Sequence, residues 1–379
     1  MKKIYFDYAA TAPTDPLVVE AMKPFFFEKF GNASSPHGVG REANKALEDA
    51  RQKVATFIGA KSSEIIFTSG GTESNNHALF GAAENLKSRG NHIIVSRIEH
   101  HSVLEPAEYL EKNGFRITYL NADRYGMVDV EALQKIISEE TIFVSVMHAN
   151  NEIGTIQPIA EIGRLMKARG ICFHVDAVQT VGHVPVDVGE MGVDLLSLSA
   201  HKFYGPKGMG ALYIREGIRL EKFLFGGDQE KNRRASTQNV AGAVGLAKAI
   251  ELASQNMETE VSEQIRLRQK LIDGILKSVS GARLNGHPEK RLPNNSHFAF
   301  EKVQGESLLM SLDMAGISAS MGSACTSGAL EPSHVLRATG LPDELAYGAL
   351  RVTIGRWTKE EEIDYFLEQL PRIIKRLRD

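Results

Sequence analysis

Asp194-Leu195-Leu196-Ser197-Leu198-Ser199-Ala200-His201-Lys202-Phe203-Tyr204-Gly205-Pro206-Lys207-Gly208 is the stretch from which the fold of this chain is best read. Residues 194–198 form a short apolar run that reads as a buried strand, and the Gly205-Pro206 pair marks a turn beyond it. Lys202 stands just past the strand, hemmed by His201, Phe203 and Tyr204. Burial among such neighbours lowers the pKa of a lysine, as an amine acting as a nucleophile requires. Most lysines are surface residues in turns, and this stretch alone is equally compatible with one of those.

Upstream the same arrangement repeats. Apolar runs at 65–67, 92–95, 141–147 and 171–175 read as buried strands, and amphipathic stretches at 130–137 and 159–168 lie between them. Ala43, Leu47, Ala50, Val54, Phe57 and Ile58 recur at helical spacing. This alternation predicts an α/β fold with a mainly parallel sheet covered by helices on both faces. Such sheets bind ligands at the carboxyl ends of their strands. Two further strand ends carry suitable groups. The run at 65–68 leads into Ser69-Gly70-Gly71-Thr72-Glu73-Ser74-Asn75-Asn76, where a helix starting near Thr72 would turn free N–H groups toward an anion. Read alone, it is also an ordinary strand-to-helix turn with Thr72 as N-cap. The run at 172–175 ends in Asp176, with Gln179 three residues on. A carboxylate there is costly unless a cation faces it, although a helix N-cap is the other use for such a residue. Ser199 and His201 are placed to donate to a phosphate. Phosphate turn, carboxylate and lysine, each after a strand of one sheet, together point to pyridoxal 5′-phosphate (PLP) held as a Schiff base on Lys202, with Asp176 facing its protonated ring nitrogen.

Downstream, a helical pattern over 239–279 leads out of this unit. Strands at 295–300, 317–320 and 351–354 and helices near 306–314 and 359–377 predict a smaller α+β domain. The expected division is 14–255 for the large domain, with 1–13 and 256–379 forming the small one. Of the 379 residues 42% are hydrophobic and 24% charged, and the net charge of −3 gives no basic field for nucleic acid or an anionic membrane. No apolar run approaches the ~20 residues of a membrane span, and Met1-Lys2-Lys3 is not followed by the apolar stretch of a signal peptide. Two cysteines give no disulfide framework, so the cytoplasm is the expected location; no metal site is expected. Cys172, inside an apolar run, reads as an inert core residue. Cys325 lies in a run of small residues and glycines, 319–333, that reads as a mobile loop able to carry a travelling group. A small buried hydrophobe is the alternative use of that thiol.

The run from Ser199 to Gly208 resembles the cofactor-lysine motif of the class V aminotransferase branch of fold-type I PLP enzymes. Within that branch the chain resembles the cysteine desulfurases of general iron–sulfur cluster assembly. The resemblance runs from Ile4-Tyr5-Phe6-Asp7-Tyr8-Ala9-Ala10-Thr11 to Gly355-Arg356. It includes Glu99-His100-His101-Ser102, Met147-His148-Ala149-Asn150-Asn151-Glu152-Ile153-Gly154, Asp176-Ala177-Val178-Gln179 and Gly322-Ser323-Ala324-Cys325-Thr326-Ser327. It implies that Gly71, Thr72, Ser199 and His201 bind the phosphate, that Asp176 pairs with the ring nitrogen and that Gln179 touches the phenolic oxygen. It also implies that His100 stacks on the ring and assists proton transfer, and that Asn151 and Arg351 hold the substrate carboxylate. Thr237 would reach the phosphate of a neighbouring subunit, making a homodimer necessary. The implied reaction converts L-cysteine to L-alanine and leaves the sulfur on Cys325 as a persulfide, for an iron–sulfur scaffold or a tRNA-thiolating enzyme. A related class V aminotransferase or lyase acting on a small amino acid, with Cys325 incidental, is the competing reading; a sulfur carrier with a relic cofactor site is a third. Three short segments depart from the family pattern. His101 stands where lysine is common, Asp228 where a third glycine is usual, and Ala235-Ser236-Thr237 replaces Ser-Gly-Thr.

Overall fold

The computed structural model describes residues 3–322 and 332–379. The chain begins on a short strand, β1 (Ile4–Tyr5), and then builds its main sheet from β2 (Ile65–Thr68), β3 (His92–Ser96), β4 (Arg116–Leu120), β5 (Thr141–Ser145), β6 (Cys172–Asp176), β7 (Leu195–Ser199) and β8 (Gly210–Ile214). These seven lie in the order β2-β8-β7-β6-β5-β3-β4. β8 runs antiparallel to both of its neighbours, and every other pair is parallel. The expected mainly parallel sheet is therefore present, with one strand reversed by the turn that follows Lys202. β4 lies at the edge and mixes exposed with buried residues, so it lacks the continuous apolar run that marks β3, β5 and β6.

Both faces of the sheet are covered. Ile94, Phe173 and Val175 point into one core with Leu47, Val54, Ile162 and Met166 of the helices Gly38–Phe57 and Ile159–Arg169. Their strand neighbours Ile93, Val95 and Cys172 point the other way, into a core shared with Ala78, Leu79, Val103 and Leu110 of the helices Gly71–Leu86 and His101–Lys112. This is the period-two alternation of a pleated strand, with apolar residues on both sides.

The helix Val240–Ser278 spans 39 residues, roughly 60 Å at about 1.5 Å per residue. Its first half contributes Ala243, Leu246 and Ile250 to the main core. Its second half gives Leu267, Leu271 and Ile275 to a separate core built by the C-terminal part. That part holds β9 (Ala282–Asn285), β10 (Asn295–Phe300), β11 (Ile317–Ser318) and β12 (Ala349–Thr353). β9, β10 and β12 form an antiparallel sheet, covered by the helices Gly305–Met314 and Glu360–Arg378. β1 pairs in parallel with β11, and Ile4 and Phe6 are buried in this C-terminal core. The fold is thus α/β with a smaller α+β part made from both ends of the chain. No described helix is long and apolar enough to cross a membrane.

Candidate active site

The carboxyl ends of β2, β6 and β7 face one cavity of about 500 Å³. At the end of β2 the chain turns through Gly70, at φ +150°, a conformation that a side chain would strain, into the helix that starts at Gly71. A Cβ on Gly71 would lie 2.6 Å from Val178 Cγ2, so only glycine lets the helix terminus come so close. Thr72 lines the cavity, and Ser199, buried at the end of β7, faces Gly70. The first N–H groups of this 16-residue helix have no intrahelical acceptor, which makes its end a seat for an anion. His201 sits beside it with Nδ1 3.1 Å from Thr11 Oγ1. Burial, with Lys202 and Lys207 nearby, pulls its pKa down to about 4, leaving it neutral at physiological pH.

At the end of β6 the Asp176 carboxylate is buried and held from two sides. Asn75 Nδ2 donates to one oxygen at 2.7 Å and the Val178 N–H to the other at 2.9 Å. Asn75 lies one turn into the helix that carries Thr72, on the same face. Lys202 ends a short 3₁₀ turn after β7, and its ammonium donates to the carbonyls of Ala9 at 2.6 Å and Ala10 at 2.9 Å. Burial and the Arg351 charge lower its pKa to about 8, against the opposing pull of Asp176 and Asp7. Gln179 Nε2 donates to the same Ala9 carbonyl at 3.0 Å. The segment 7–11 therefore walls the site on the lysine side, although it comes from the start of the chain.

Arg351, on β12, is only 4% exposed. Its Nη1 donates to the carbonyls of Asn151 at 2.9 Å and Gly322 at 3.3 Å, and its Nη2 to Asp7 at 2.8 Å. The Nε–H is buried and has no partner among the described residues. Arg351 lines the cavity, and a guanidinium there can grip a carboxylate with charge-assisted hydrogen bonds. Asn151 lines the same wall, as does Glu152, whose carboxyl is pushed up by burial against the pull of Ser333 and Arg351.

His100 caps the helix His101–Lys112. The Ser102 N–H donates to its Nδ1 at 3.1 Å, which places the ring proton of the neutral form on Nε2. Burial holds its pKa below the usual histidine range, against the pull of Asp176. Both histidines are exposed and line the cavity; the His100 ring nitrogen is held by the helix start, and the His101 ring meets His334 at 4.9 Å. Glu99 is fully buried beside them, and burial pushes its carboxyl up to about 8. At neutral pH it is therefore held mostly as the neutral acid, which spares Asp176 a second negative neighbour.

One cavity thus brings together Gly71, Thr72, His100, Asn151, Asp176, Gln179, Ser199, His201, Lys202 and Arg351. Thr237 is exposed and does not line it, and Cys325 lies outside the described residues. Asp7, Asn75, Glu99 and Glu152 belong to the site without having drawn attention in the sequence. The departures at 228 and 236 differ in kind. Asp228 has φ −86°, which any residue adopts, whereas Ser236 has φ +99°, in the region that favours glycine.

The residues present fit pyridoxal phosphate. A glycine cradle and open helix terminus suit its phosphate, a buried carboxylate with two donors suits a cationic ring nitrogen, and a lysine with a lowered pKa suits its aldehyde. The family model for class V aminotransferases matches residues 4–366. Cysteine desulfurase IscS of Dictyoglomus turgidum is 56% identical over 377 residues, covering 100% of this chain and 96% of that protein. Cysteine desulfurase IscS of Clostridium botulinum is 53% identical over 380 residues, covering 100% and 96% respectively. Among solved structures, a NifS-like protein matches with a TM-score of 0.93 and 41% identity, over 99% of this chain and 100% of that one.

Proposed function

The chain belongs to the class V aminotransferase family, and from that premise we propose that it is a PLP-dependent cysteine desulfurase. It converts L-cysteine to L-alanine and passes the sulfur to Cys325 as a persulfide. The observation that carries this reading is the meeting, in one cavity, of Lys202, Asp176 and a buried Arg351.

Thr72, Ser199, His201 and the helix end at Gly71 would hold the phosphate, with Asp176 against the ring nitrogen, Gln179 at the phenolic oxygen and His100 over the ring. When bound, the cofactor supplies the electron sink that makes loss of the α-proton of an amino acid feasible. Arg351 fixes the substrate carboxylate from the cavity wall, and Asn151 flanks it. Lys202, whose amine is free above about pH 8, takes the α-proton and keeps it within reach for return. The neutral His100 has a proton to give on Nε2. The Cys325 thiolate attacks the substrate sulfur; an S–S bond forms as the C–S bond breaks, and protonation of the carbon left behind gives alanine.

The same reading makes the enzyme a homodimer in which Thr237 completes the neighbouring phosphate site. Its support is that Thr237 is exposed away from its own cavity, and that Phe26, Phe27, Phe30 and Phe225 are 65%, 65%, 68% and 85% exposed. We divide the chain into a large domain, 14–255, and a small one, 1–13 with 256–379, supported by the two separate cores on the helix Val240–Ser278. A free thiol as sulfur carrier suits a reducing compartment, so the cytoplasm is the location proposed. The acceptor would be an iron–sulfur scaffold or a tRNA-thiolating enzyme. The decisive test is mass spectrometry of the Cys325 peptide after exposure to L-cysteine, with alanine measured in parallel. A gain of one sulfur atom is expected, and Cys325→Ala should lose sulfide release while Cys172→Ser keeps it. Full activity in Cys325→Ala would sink the mechanism.

A further inference from the structure

Glu73 is the third residue of the helix Gly71–Leu86, and its carboxylate faces two ways. It accepts the Ser69 N–H at 2.8 Å, which braces the turn leading into the helix. It also accepts two bonds from Arg234, from Nε at 2.7 Å and from Nη2 at 3.1 Å, with the two side chains only 10% and 16% exposed. Arg234 belongs to a segment of unusual backbone. Glu230, Lys231 and Asn232 have φ of +46°, +58° and +64°, and Ser236 has +99°, conformations that residues with a Cβ avoid.

A second anchor holds that segment in place. Glu230 is buried, grips Arg51 through two bonds of 2.6 and 3.0 Å, and accepts the Phe67 N–H of β2 at 2.9 Å. The segment is thus fastened to the strand by Glu230 and to the following turn by Arg234. Three residues beyond Arg234 stands Thr237, exposed and outside its own cavity.

We propose that the Glu73–Arg234 pair ties the two cofactor sites of the dimer together. Through Glu73 it steadies the phosphate turn of its own subunit, and through the strained segment it sets the position of the Thr237 offered to the other. This rests on the homodimer reading above, in which Thr237 crosses to the neighbouring phosphate. Arg234 and Glu73 are positioning residues, since neither lines the cavity.

The test uses mixed holo-dimers, one wild-type and one variant subunit carrying different affinity tags, and follows release of PLP by absorbance during dialysis. Thr72→Val in one subunit loosens only the site in that subunit, and Thr237→Val only the opposite site, so each gives two-phase release with half the cofactor leaving at the wild-type rate. Arg234→Met in one subunit is expected to speed release about tenfold from both sites in a single phase, the worth of one charge-assisted hydrogen bond. Glu73→Gln should do the same, and Arg234→Lys, the milder change should the methionine variant fold poorly, should shift both sites by a smaller factor. A merely local role would leave half the cofactor untouched. Two-phase release from the Arg234 variants, with Thr237→Val behaving as stated, overturns the proposal alone. Wild-type release from both sites of the Thr237→Val dimer removes its premise and overturns it together with the homodimer reading.

Discussion

Replacing Arg351 by lysine keeps one positive charge and removes the fork, so it isolates what the guanidinium shape contributes. The native group spends Nη1 on the Asn151 and Gly322 carbonyls and one Nη2 bond on Asp7 at 2.8 Å, while lining the cavity. A single ammonium cannot reach these anchors and also present a fixed donor to a substrate. A hydrogen bond to a charged group is worth about 1.5–3 kcal/mol net, which corresponds to about a tenfold to hundredfold loss in kcat/KM. We expect that loss for L-cysteine, mainly in KM, with cofactor loading and circular dichroism unchanged. Cysteamine, which lacks the carboxylate, should react equally poorly with both proteins. An Arg351→Lys enzyme within about twofold of wild type on L-cysteine, or equally impaired on cysteamine, would refute the carboxylate grip.

Lys202 gives a pH signature. With its pKa at about 8 in the fold, the amine is mostly charged below that pH and mostly free above it. Capture of PLP by apoprotein should therefore accelerate through about pH 8 and level off, and a rate still climbing at pH 10 would contradict the assignment. An unfolded lysine keeps its proton to about 10.5, so below about 8 the buried charge weighs against the folded apoprotein, and stability from this group rises with pH between those values. Arg51→Met leaves Glu230 buried without its partner and should cost about 3–5 kcal/mol in urea unfolding of the main sheet, whereas the Arg51→Met, Glu230→Met double variant should recover much of it. Equal losses in the two proteins would mean that burial of an unpaired charge is not the cause. Ser236→Gly should stabilise by about 1 kcal/mol, since relief of the left-handed serine exceeds the entropy that glycine adds to the unfolded chain. A lower urea midpoint for that variant would show that the serine is not strained.

The main sheet was legible because β3, β5, β6 and β7 are continuous apolar runs, and the rule that ligands sit at strand ends then singles out Thr72, Asp176 and Lys202. Arg351 and Asn151 carry no such local mark and came from resemblance alone. What stayed hidden has physical reasons. The cradle for Lys202 is made of backbone carbonyls at Ala9 and Ala10, and carbonyls leave no trace in side-chain identity. Asp7 meets Arg351 because it bridges Thr353 of β12, a contact between residues far apart in sequence. Glu230 lies in Asp228-Gln229-Glu230-Lys231-Asn232-Arg233-Arg234, a run that reads as solvated surface, yet it is only 5% exposed. Asn75 also went unread, although its place three residues from Thr72, on the same face of the helix, is a signal that could have found it.

The segment that walls the lysine pocket is translated before the main sheet, and its partners are translated after it. Phe6 needs the carbonyl of Ser318, Ala9 needs the hydroxyl of Thr353, and Asp7 needs Arg351. A nascent chain can complete the main sheet long before these residues are translated, but it cannot close the pocket around Lys202. Ribosome-stalled chains that end before residue 349 should accordingly show no PLP absorbance, and stalled chains that did acquire the cofactor would refute this. Loading of the aldehyde is thereby deferred until Arg351 and Thr353 have been made, a safeguard written into the order in which segments far apart in sequence are translated.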